Sequence, residues 1–197
     1  KIYINFIKIR LNILLLRYFL YNKAINKNLR IYMSLEKFVQ ENDFIVSKTD
    51  TKGIITYCNQ AFMKIVGAKE SELLGKNHNI VRHPNMPKIV FKLLWDTVTK
   101  KDEIFAYVKN RSFDGSFYWV FANITPSLDV DGNIIGYYSV RRKPNPKALS
   151  IIAPLYEKLL EAEKTGGMKA SGQLLTKTLK DLGTTYDELM NNLQRKK

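Results

Sequence analysis

The chain has 197 residues, 45% of them hydrophobic and 25% charged, a balance that excludes a disordered polymer and fits one domain with accessories. Its single cysteine excludes a disulfide framework and any Cys-built zinc or iron–sulfur site, and its two histidines exclude a multi-His metal centre. The net charge of +14 suggests nucleic acid or a membrane surface, but it is unevenly placed. Residues 1–32 hold seven bases and no acid, leaving 25 bases against 18 acids in the remainder. The body is only mildly basic, and its aromatics follow apolar strand and helix patterns, not a basic stripe, which argues against nucleic-acid binding.

Residues 1–32 are built mostly from Ile, Leu, Asn, Lys, Tyr, Phe and Arg, and Met33-Ser34-Leu35 after them reads as a start. The charge-free apolar run Ile13 to Leu16 is far short of a membrane span, and no small-residue cleavage site follows. Two readings stand: a gene-start artefact, or a basic amphipathic helix on a membrane or partner. The artefact is favoured. Residues 33–143 form the body and residues 144–197 a C-terminal helical extension.

In the body, Ser34 is expected to cap a short helix over Leu35 to Gln40. Phe44 to Thr49 and Ile54 to Cys58 read as a hairpin closed by Asp50-Thr51-Lys52-Gly53. Asn59 caps a helix to about Val66, stopped by Gly67, and Ser71 to Leu74 adds one more turn. Pro84 and Pro87 forbid a regular helix over Asn77 to Pro87, and Pro87 suits the first turn of the next helix. That helix carries Val90, Leu93, Leu94, Thr97 and Val98 at helical spacing, with Phe91 and Trp95 as an i,i+4 pair. Strands follow over Ile104 to Asn110, Phe117 to Thr125 and Ile134 to Val140, separated by Asp-Gly turns. The order predicts an α+β fold: a five-stranded antiparallel sheet with helices on one face and a ligand pocket between them. In the extension, Pro144-Asn145-Pro146 marks a linker, and apolar stripes over Ile151 to Leu160, Leu174 to Leu182 and Tyr186 to Leu193 predict three helices. They are too short to fold alone and should dock on the body or on a partner.

The element order and turns resemble a PAS domain. Asn79-Ile80-Val81-Arg82-His83-Pro84-Asn85-Met86-Pro87, Phe91…Leu94-Trp95, Val108-Lys109-Asn110-Arg111, Asp114-Gly115…Tyr118-Trp119-Val120 and Gly136-Tyr137…Val140-Arg141 resemble, more narrowly, the Aer-type PAS domains of bacterial energy-taxis sensors. The likeness covers about residues 44–142. It implies non-covalent binding of FAD, with Asn59, Arg82, His83, Asn85, Phe91, Trp95 and Asn110 as cofactor-site residues. Asn85 stands where the family usually has Asp. Of the family's versions the chain resembles the stand-alone, CetB-like one, which implies a cytoplasmic protein, peripheral to the inner membrane through a separate methyl-accepting chemotaxis-type transmembrane receptor, and a PAS homodimer.

The residues themselves leave alternatives beside these roles. Arg82 offers a donor fork suited to a pyrophosphate or a reduced flavin, and His83 a donor; both could equally brace the proline-held loop. Phe91 and Trp95 fit core as well as cofactor wall, Trp119 reads as core, and Asn59 is fully explained as an N-cap. Asn110, an amide that donates or accepts, matches either protonation state of a flavin ring nitrogen. His78 or His83 could ligate haem, which gives a haem-based redox or gas sensor as a second reading, and a cofactor-free interaction module is the third. Cys58, at a strand end in Tyr57-Cys58-Asn59-Gln60, does not match the helix-borne cysteine of LOV photoreceptors. No G-x-G-x-x-G, Walker, nucleophile-elbow or paired-carboxylate signature is present, so no enzyme is expected.

Overall fold

The computed structural model describes residues 35–195; the readings of residues 1–34, including the Ser34 cap, lie outside the described residues. Six strands form one sheet: β1 (Glu36–Lys37), β2 (Ile45–Thr49), β3 (Ile55–Cys58), β4 (Ile104–Arg111), β5 (Phe117–Leu128) and β6 (Ile134–Arg142). The antiparallel spatial order is β4-β5-β6-β2-β3, and β1 adds a two-residue parallel pairing of Glu36 and Lys37 with Phe117 and Tyr118. Between β3 and β4 lie α1 (Gln60–Val66), α2 (Glu70–Leu73), a 3-10 turn (His78–Val81) and α3 (Lys88–Val98). After the sheet come α4 (Pro146–Asp181) and α5 (Tyr186–Arg195).

Most local expectations hold for stated reasons. The Asn59 side chain accepts from Phe62 N, and Gly67 closes α1 at φ 72°, a conformation glycine adopts without Cβ strain. Pro87 sits directly before α3. Two expectations are corrected. The short helix over Leu35 to Gln40 is instead the strand β1, because β5 outruns β6 and leaves an edge free at Phe117 and Tyr118. Lys37 locks that pairing, bonding Ile65 O at 3.2 Å and pairing with Asp114 at 2.7 Å. β5 also runs past Thr125, through Pro126, since β4 ends opposite Ile124 and the missing Pro N–H faces no partner strand there. The first two helices of the extension are two as expected, running within α4 and parted by the non-helical Gly166 (φ −133°, ψ 15°) and Gly167 (φ 65°, ψ −165°).

Alternation along the strands divides the core in two. The inner face, with Ala106, Val108, Asn110, Tyr118, Val120, Ala122 and Ile124, looks toward α1 and α3. On the outer face Tyr107, Trp119 and Phe121 meet the extension: Trp119 packs on Tyr156, and the Tyr156 hydroxyl donates to Tyr107 O at 2.9 Å. Ala148, Ile152 and Leu159 of α4 and Met190 and Leu193 of α5 are buried as well. The extension therefore docks on the body. Among the described residues no helix is long and apolar enough to cross a membrane.

Candidate functional site

A cavity of about 410 Å³ lies between the inner sheet face and α3, within the size range of small-molecule sites. Phe91, Leu94, Trp95 and Val98 of α3 form one wall, and Val108, Asn110, Ala122 and Ile124 of β4 and β5 the other. Trp95 meets Tyr137 edge-on, at 5.3 Å between ring centres, and remains 41% exposed, so it stands at the mouth, not in the core.

Four of the seven expected residues, Arg82, Phe91, Trp95 and Asn110, come together on this cavity. A bridge between Arg82 and Asn110 joins the proline loop to β4, and the alternation it imposes turns Arg82 inward and His83 away. The Arg82 guanidinium lies 3.8 Å over the Phe91 ring and donates to Met86 O at 3.4 Å. Burial lowers its pKa, and the Glu163 carboxylate opposes that shift. The other three do not line the cavity. His83 packs edge-on against Phe117 and accepts from Asn85 N at 3.0 Å; burial, then Lys109 and Arg111, hold its pKa down to about 4. Asn85 is exposed. Asn59 is consumed as a brace: its Oδ1 accepts from Phe62 N and Val46 N, both at 3.0 Å, while its Nδ2 donates to Phe44 O.

The strongest feature of the cavity is one the sequence did not single out. Arg141 on β6 is 3% exposed and donates through Nη2 to Ser47 Oγ and to His78 Nε2, each at 2.6 Å. Its Nη1 is buried without a partner, and no carboxylate pairs with it among the described residues. Burial draws the guanidinium down to about 10. His78 stacks on Phe62, its ring enclosed though the residue keeps some solvent access. Burial and then Arg141 hold its pKa down to about 3, so it is a neutral acceptor at Nε2, with its other ring nitrogen bonded to its own backbone. The Tyr118 hydroxyl, on the same inner face, is also buried without a well-formed hydrogen bond. A buried cation with an open donor is costly unless something fills its place. The arrangement suits a flat apolar body gripped by acceptor or anionic groups at Arg141, Asn110 and Arg82.

Comparison with known proteins agrees with the fold. Residues 34–143 match the family model described as the PAS fold, and the chain belongs to the PAS family. It is 38% identical over 133 residues to the aerotaxis receptor of Escherichia coli (strain K12), covering 68% of this chain and 26% of that receptor. It is 28% identical over 104 residues to a nitrogen fixation regulatory protein of Klebsiella pneumoniae, covering 53% of this chain and 21% of that protein. The chain thus spans about a quarter of the length of these relatives. Among solved structures, a light-oxygen-voltage domain studied with a flavin analogue superposes with a TM-score of 0.50 at 22% identity, over 58% of this chain and 86% of that one. That likeness shows the fold alone.

Proposed function

We propose that residues 33–143 are a redox sensor domain that holds FAD non-covalently in the cavity, and that residues 144–197 carry its state to a separate methyl-accepting chemotaxis-type transmembrane receptor, as in energy taxis. On this reading the protein is a signalling module and not an enzyme, cytoplasmic and drawn to the inner membrane through its partner. The observation that carries the proposal is the orphaned Nη1 of Arg141, which calls for a ligand bringing acceptors or negative charge into the cavity. The residues present fit a flavin: Phe91, Leu94, Trp95, Val98 and Ile124 suit a flat ring system, while Arg141, Asn110 and Arg82 would meet its polar edges and phosphates. Kinship with the aerotaxis receptor supports the same reading. A bound flavin supplies electron transfer, gaining electrons and a proton on its ring when reduced.

The protein's own part is to orient and to respond. His78 and Ser47 fix Arg141 in place. Asn110 can present either end of its amide to the ring, and any rotation acts on β4, whose outer side carries α5 through the Tyr107 hydroxyl bond to Gln194 at 3.0 Å. Titration of flavin-stripped protein with FAD, FMN and riboflavin tests the reading. Saturable FAD binding, weakened in Asn110→Ala, is expected; failure of every flavin to bind would overturn it. The haem alternative is disfavoured because both ring nitrogens of His78 are engaged and His83 faces away from the cavity. A cofactor-free interaction module leaves the open Arg141 donor unexplained.

A further inference from the structure

The helix that walls the cavity is held at its start by a residue far along the chain. Pro87, before α3, offers no side-chain cap, and the first-turn N–H groups need an acceptor. The Glu163 carboxylate of α4 supplies it, accepting from Lys88 N at 3.0 Å and Ile89 N at 2.9 Å. Ser171, completely buried, donates to Glu163 Oε1 at 3.1 Å from beyond the Gly166-Gly167 break. Gly172 then lies so close to α3 that an added Cβ would stand 3.3 Å from Ile89 Cδ1. One carboxylate therefore ties three segments together: the start of α3, the first half of α4 and, across a backbone break, the second half. Two residues beyond Ile89, Phe91 carries the Arg82 guanidinium on its ring. Arg82 lines the cavity and also feels the Glu163 charge.

We propose that Glu163 is the latch between the cavity and the C-terminal extension, and that negative charge gained in the cavity on reduction loosens it and frees residues 164–181. This deepens, and rests on, the flavin reading above. The direction follows from sharing. The positive end of α3 and the Arg82 cation together attract the Glu163 side chain. A second anion answering to Arg82 from the cavity side cancels part of that field, so the bonds to Lys88 N and Ile89 N weaken. The glycine break then leaves 168–181 without a continuous helix to hold it. By reciprocity, a held latch opposes reduction.

The test is hydrogen exchange of FAD-loaded protein, oxidised and dithionite-reduced, read on peptides from 164–182 with flavin absorbance recorded on the same samples. In the unaltered protein exchange is expected to quicken about tenfold on reduction, the scale of one charge-assisted hydrogen bond. Glu163→Gln is expected to exchange fast in both states, to keep its FAD, and to have a midpoint potential higher by up to about 30 mV, the two-electron equivalent of tenfold. Glu161→Gln removes the same charge from a residue that, among the described residues, forms an ion pair only with Lys164, at 2.7 Å, and it is expected to behave as the unaltered protein. Equal exchange in both states with flavin bound, or a redox difference surviving in Glu163→Gln, would overturn the latch alone. Absence of any bound flavin would overturn the functional reading and the latch with it.

Discussion

Replacing Arg141 by methionine should strengthen the empty protein and weaken its hold on ligand, an opposition that a purely structural arginine does not produce. Burial lowers the Arg141 pKa by two to three units from the ordinary guanidinium range, to about 10. At about 1.4 kcal/mol per unit, the folded, empty protein carries the cation at a disadvantage of about 3 kcal/mol. Methionine removes that burden and keeps most of the volume. It forfeits two charge-assisted hydrogen bonds, but Ser47 Oγ and His78 Nε2 lie 3.0 Å apart and satisfy each other once the guanidinium is gone. Buried charges replaced by apolar side chains commonly yield a neutral change or a gain of about 1–4 kcal/mol. Urea unfolding of flavin-free protein should therefore show Arg141→Met more stable by about 1–3 kcal/mol with the slope unchanged. FAD titration of the same variant should show affinity at least about tenfold lower, since a charged hydrogen bond contributes about 1.5–3 kcal/mol. Loss of more than about 2 kcal/mol of stability, or undiminished FAD affinity, would refute the assignment of Arg141 to the ligand.

Three other outcomes follow from the same structure. His78, held at about 3 when folded and near 6.5 when unfolded, binds more protons unfolded, so stability is full above pH 6.5 and declines as pH falls toward 3. Its share between pH 6.5 and 4.5 is about 2 kcal/mol, and His78→Gln should flatten that part of the urea-midpoint profile; an unchanged slope would contradict it. Ala122, 1% exposed on the cavity wall, should as phenylalanine fill the void, leaving far-UV circular dichroism intact while abolishing FAD binding; retained binding would place the ligand elsewhere. Gly136 backs so closely onto β2 that a Cβ would lie 2.3 Å from Thr49 O, so Gly136→Ala should lower stability by about 2–4 kcal/mol in thermal unfolding. A change within about 0.5 kcal/mol would show that the β2–β6 contact yields easily.

What the sequence disclosed was what neighbours in sequence decide. Asn59 and Gly67 bound α1, the Asp-Gly turns join strands, and the two prolines set the entry to α3; each rests on a few adjacent residues. β1 escaped because its cause is an unpaired stretch of β5 some eighty residues away. Likewise Ser47, His78 and Arg141 carry no shared spacing. Only the antiparallel pairing of β2 with β6, which sets Ser47 against Ser139 and Ile45 against Arg141, brings Arg141 to Ser47, and only the 3-10 turn brings His78 to both. The Arg-His-Pro motif drew attention to adjacent residues, whereas the bridge to Asn110 separates them, one facing the cavity and the other the far side. Glu163 was equally hidden, since its partners lie 74 and 75 residues earlier. Asn59 had a complete local explanation as a cap, and the structure shows that use engaging its Oδ1 twice and its Nδ2 once with backbone groups.

The central claim is that the cavity holds a flavin. An absorbance spectrum of freshly purified protein, with the released chromophore run against FAD, FMN and haem standards, tests it most directly. The account predicts the two-banded spectrum of an oxidised flavin, bleached by dithionite, and FAD as the released species. A colourless protein that cannot be loaded with FAD, or a haem spectrum, would contradict it.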